Sequence, residues 1–160
     1  MSARRLLARV CAAAFLATAC VGSTAWAQAI PAPSQEIVSQ VRSAVLDHLT
    51  EYSCDHDVKC TAATPAERAN PPVTDAEGGL IVQRGMISGL AAHCDLDWKT
   101  RNFFPMMSYW RHGQKKSERQ MAIIAGMHGV SQGATLEAVE KQACTPEIKQ
   151  RIDAMLDFKP

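Results

Sequence analysis

From Ser34 onward apolar residues recur every three or four positions, and a spacing close to 3.6 predicts helices. Ser34 can cap a first helix whose apolar positions, Ile37, Val41, Val45, Leu49 and Tyr52, carry it to about Tyr52. Thr74 and Glu77 form a capping box ahead of a second run, Leu80 to Cys94, with Ile87, Leu90 and Ala91 on one face. In that run Gly85 and Gly89 lie one turn apart, where missing side chains let another helix come close. The stretch DWKTRNFFPMMSYWRHG predicts a third helix from near Asn102 to Gly113, with Asp97 or Asn102 as cap and Pro105 in the first turn. A second capping box, Ser117 and Gln120, precedes a helix of about four turns. It carries Met121, Ile124 and His128 on one face, with Ile123, Met127 and Val130 on the next. Helical composition continues from Leu136 to Ala143, and Thr145-Pro146-Glu147 starts a last helix bearing Ile148, Ile152, Met155 and Leu156.

Between the first two helices, from Cys54 to about Val73, the period stops. Pro65, Asn70, Pro71 and Pro72 make a broken, polar connection. No strand-like alternation of useful length occurs. The pattern therefore predicts an all-α fold: one small helical domain, residues 34–160, of about five helices with a loop over 54–73.

The first 27 residues read differently. Arg4, Arg5 and Arg9 precede an apolar run from Val10 to about Val21, followed by Ala25-Trp26-Ala27, the form of a cleaved secretory signal. The run is too short to span a bilayer, which needs roughly 20 apolar residues. Cleavage after Ala27 predicts a periplasmic or secreted chain with a short extension, residues 28–33, before the helical domain. Arg4-Arg5 fits twin-arginine export poorly, and Cys20 follows a box that matches a lipoprotein site less well than Ala25-Trp26-Ala27 matches a signal-peptidase site.

Export changes what the cysteines mean. Four lie beyond the signal, Cys54, Cys60, Cys94 and Cys144, and an even count in an exported chain favours disulfides, with three possible pairings. Near neighbours Cys54 and Cys60 are the favoured first pair, leaving Cys94 with Cys144 to bridge the second helix to the start of the last. A disulfide has no thiolate for a metal, so CDHDVKC reads as a stapled loop rather than a site around His56.

Charge excludes little except nucleic acid. Three of the 17 basic residues lie in the signal, so 14 face 16 acids and the mature chain is formally −2. Gly129-Val130-Ser131-Gln132-Gly133 matches the Gly-x-Ser-x-Gly elbow of serine hydrolases. That chemistry needs a strand before the serine and a histidine after it in sequence. Here the preceding pattern is helical and the last histidine is His128, so a hydrolase is rejected and the glycines are read as close-packing or helix-end positions. No two histidines stand at i and i+4, so a metal would need tertiary convergence, for which His93 and His128 are the candidates. Cys-x-x-Cys-His does not occur, which excludes covalently attached haem, and no cofactor is implied.

One stretch suggests binding. Trp98, Phe103 and Trp110 lie beside Arg111, Lys115, Lys116 and Arg119, the makings of an aromatic-edged basic patch for an acidic protein partner or an anionic surface. Aromatics at this spacing also suit a core, with Met107 between them. The expected function is a non-enzymatic binding or accessory role in the exported compartment, with periplasmic handling of copper or zinc as the alternative.

Overall fold

The computed structural model describes residues 30–55 and 57–160. The signal, the first two residues of the extension and His56 lie outside them. The chain folds into a compact helical domain in which α1 (Gln35–Asp47), α3 (Asp75–His93) and α5 (Glu118–Val139) enclose the main core.

Each helix starts where its cap stands. Ser34 Oγ accepts the Ile37 N–H at 3.3 Å, both predicted boxes form at Thr74/Glu77 and Ser117/Gln120, and Thr145 caps α6 (Pro146–Leu156). The loop expected over 54–73 is more ordered than that. Ser53–Asp55 (β1) and Val58–Lys59 (β2) pair as a small antiparallel hairpin closed by Cys54–Cys60. Pro65–Ala69 forms a five-residue helix, α2, under a third capping box, Thr64 with Glu67. Two or three residues of alternation are too few to read as a strand, and one helical turn has no period to detect.

The heart of the domain is the α3–α5 seam. A Cβ on Gly85 would lie 2.6 Å from the His128 carbonyl oxygen, and one on Gly89 2.6 Å from that of Gln132. Only glycine lets the two backbones touch in this way. Gly126, on α5, instead makes room for the side chains of Val45 and Tyr52. By contrast Gly129 and Gly133 have nothing within 4 Å of where a Cβ would stand, so neither packs closely nor ends the helix, contrary to expectation.

On α1 the buried residues are Val38, Val45 and Leu46, with Leu49 just beyond, while Ile37 is 44% exposed. The predicted stripe was rotated by part of a turn, because a period alone does not say which edge of a wide apolar face turns inward.

The aromatic stretch is one helical rod rather than a helix begun at Asn102. Wide π turns, Lys99–Phe103 and Tyr109–Gly113, flank α4 (Phe104–Ser108). Asp97 accepts the Thr100 N–H at 3.2 Å at its start, whereas Asn102 is buried and caps nothing. Pro105 therefore lies inside the rod, not in a first turn. It has no N–H for the Arg101 carbonyl four residues back, and that carbonyl accepts the Phe158 N–H instead, at 2.9 Å.

A second, smaller core lies between α3 and α6, where Ile87, Ala91 and Cys94 meet Ile152 and Leu156. Cys94–Cys144 closes its end, with Cα atoms 5.5 Å apart, so both favoured pairings are present.

Candidate functional site

The expected aromatic and basic patch does not assemble. Trp110 is 3% exposed and belongs to the main core, with its Nε1 lacking a hydrogen-bond partner among the described residues. Arg119 reaches across to α2, pairing both nitrogens of its fork with Glu67 at 2.5 and 2.8 Å and the carbonyls of Thr61 and Ala62. The Arg119 hydrogen bond holds the Glu67 carboxyl down at about 2. Lys116 pairs with Glu77 at 2.5 Å, and Arg111 with Glu118 at 2.8 Å. Three of the four cations thus secure neighbouring helices. Lys115, at positive φ in the connecting loop, stays exposed.

Trp98 and Phe103, the other two aromatics of that patch, turn to His128. The residue is 1% exposed, its ring stacked 6.1 Å from Trp98 and tilted against Phe103 at 4.8 Å. His128 Nε2 lies 3.0 Å from Ser88 Oγ, which accepts Asn102 Nδ2 at 2.7 Å. Asn102 also gives an N–H to the Arg84 carbonyl and takes one from Arg84 Nε. The Arg84 guanidinium runs on to the carbonyls of Met155 and Leu156 at the end of α6, and Phe158 covers it at 5.6 Å. A cation there satisfies carbonyls that the helix leaves open. Burial lowers Arg84 to about 10, leaving it charged at neutral pH. Burial, with Arg84 nearby, lowers His128 to about 4, so its imidazole is neutral.

Neither earlier chemistry survives in this geometry. His93 Nε2 meets the Gln142 carbonyl oxygen at 2.8 Å, at the far end of α3, so His93 and His128 have separate partners and do not converge. No group of three metal-ligating side chains occurs among the described residues. Ser131 lies inside α5, its hydroxyl donating to the Met127 carbonyl at 2.8 Å, with helix on both sides instead of a strand and a turn.

What the surface does offer is a cleft that sequence reasoning missed. Ile37 and Val41 of α1, Val82 and Met86 of α3, and Ser131, Ala134, Thr135 and Ala138 of α5 enclose about 320 Å³. Its floor on α5 follows i, i+3, i+4, i+7, and all four residues are small. No charged side chain lines it. The only sequence signal was the drop in side-chain size along α5 after Val130, masked there by the Gly-x-Ser-x-Gly match.

Compared with known protein families, curated proteins and solved structures, the chain matches none of them. No helix among the described residues is long and apolar enough to cross a membrane.

Proposed function

We propose that this chain is an exported accessory protein that holds an amphipathic helix of a protein partner in the cleft between α1, α3 and α5. The cleft carries the reading. Seven residues of α5 floor rise about 10.5 Å, two turns, which matches the anchor spacing of a helix laid into a groove. Small residues at those four positions let a helix backbone approach, and Ile37, Val41, Val82 and Met86 supply the apolar walls. An uncharged lining favours the apolar stripe of such a helix over an ionic ligand. Export rests on the basic start, the apolar run and Ala25-Trp26-Ala27, and two disulfides suit an oxidising compartment.

The test uses a fluorescently labelled 18-residue amphipathic peptide with a leucine stripe, titrated by anisotropy. Micromolar binding is expected, with at least a tenfold loss in Ala138→Trp, which fills the cleft from its open side, and no binding by the same peptide with its stripe changed to glutamate. Equal binding by the two peptides, or an Ala138→Trp protein that is folded and binds normally, overturns the reading.

A further inference from the structure

His128 is a titratable group buried in the α3–α5 seam. It lies on the α5 face of the seam, enclosed by Ser88 of α3 and by Trp98 and Phe103 at the start of the aromatic rod. We propose that His128 is an acid-operated latch: when its imidazole takes a proton, the aromatic rod loosens from the α3–α5 seam and uncovers the apolar side chains beneath it. The site lies apart from the partner cleft, so the latch does not depend on that reading.

The argument begins with what faces the ring. From α3 come Arg84, a cation, and Ser88, which does not titrate. From the rod come Asn102, tied to Ser88, with Lys99 over the Trp98 ring at 5.6 Å and Arg101 turned away toward α6. From α6 and the tail come Asp153 and Asp157, and both carboxylates go to Arg101. Along α5 itself, residues 124–132 hold no other titratable side chain. No carboxylate among the described residues hydrogen-bonds to the ring, and Asp157, which faces Arg84, is bound to Arg101, so an added proton meets the Arg84 cation with no carboxylate of its own.

Relief must then come from water, and the packing leaves one direction for it. On the α3 side Gly85 already stands against the His128 backbone, with no slack between the helices. On the other side stand Trp98 and Phe103, both partly exposed, on a rod whose π turns interrupt regular helix at either end. A charged ring also carries an N–H at Nε2, so it can only donate to Ser88 Oγ, the oxygen on which Asn102 of the rod also rests. Lifting the rod uncovers Met106, which is fully buried, and Phe103. Cys94–Cys144 keeps α6 attached to α3 throughout.

The experiment follows tryptophan emission and binding of an apolar reporter dye from pH 7.5 to 3 on the full, oxidised protein and on His128→Gln. The wild-type chain is expected to bind dye with a midpoint between pH 6.5 and 4, and His128→Gln to move that midpoint down by at least one pH unit. An unchanged midpoint overturns the latch and assigns the transition to carboxylates. Should His128→Gln fail to fold, proton NMR of the wild-type ring decides: its titration coincides with the dye transition if the latch is right, and dye binding while the ring is still neutral overturns it.

Discussion

Gly85 and Gly129 occupy the interiors of neighbouring helices, yet alanine should act on them in opposite directions. At Gly85 a methyl group would meet the His128 carbonyl and the Ser131 Cβ at 2.6 and 2.7 Å, so the seam must open, at a cost of about 1–3 kcal/mol or more. At Gly129 the methyl meets nothing within 4 Å, and the helix gains about 0.8–1 kcal/mol by losing the glycine's backbone freedom. Urea unfolding of Gly85→Ala and Gly129→Ala checks both signs in one experiment. The sequence itself, two glycines four apart in each helix, could not separate these cases, because spacing does not say whether a neighbour is present. His128 shows the same limit: its helix and face were legible, but its partners Ser88, Trp98 and Phe103 come from elements 25 to 40 residues away. Its effect on stability has a definite sign. The ring takes a proton near pH 6.5 when unfolded and near 4 when folded, so the neutral form belongs to the native state. Stability from this source is complete above pH 6.5 and is lost as pH falls toward 4, amounting to about 3 kcal/mol.

Elements were legible wherever a cap and a long period coincided. Ser34, Thr74, Ser117 and Thr145 all cap the helices they were expected to start. The start of the aromatic rod is not legible locally, because Pro105 in the sequence points to a first turn. In the fold, the freed Arg101 carbonyl is taken by Phe158, a contact across 57 positions that no local pattern announces. The same tail region is held by Arg101 to Asp153 and Asp157 and by Arg84 to the end of α6. α6 therefore has two kinds of attachment, covalent at Cys144 and ionic near its C-terminus. Opening a loop of sequence separation 50 by Cys94→Ala with Cys144→Ala should cost about 4 kcal/mol on the chain-entropy account, against about 2.4 for Cys54 with Cys60. Thermal unfolding of the two double variants should rank them in that order. Equal losses would mean that the ionic attachments, rather than loop length, decide how α6 is held.

At the scale of the molecule, the basic residues that suggested a docking patch instead join one element to the next: Arg119 ties α5 to α2, and Lys116 ties the loop before α5 to α3. Their carboxylate partners were not visible in the sequence, since Glu67 and Glu77 lie 52 and 39 positions away, Glu77 reads as a capping residue and Glu67 falls in the expected loop, though in the fold both complete capping boxes. This internal use of charge makes the acid response of the whole chain divisible. Glu67 is held near 2 by Arg119, against an ordinary value of 4.5, so its stabilisation is present above pH 4.5 and lost as pH falls toward 2. The window for His128 lies higher, between 6.5 and 4. Stability plotted against pH should then fall in two steps. Glu67→Gln should reduce the pH dependence of the lower step, which Glu77, Asp97, Glu147 and Asp157 share because they too are held below the ordinary carboxylate range, and leave the upper one, because Glu67 and His128 share no hydrogen-bond partner. Chemical denaturation at half-unit intervals from pH 7.5 to 2.5 reads this directly. A Glu67→Gln protein whose upper step also vanishes would show that α2 and the aromatic rod loosen as one unit, and that acid acts on the whole domain rather than on one latch.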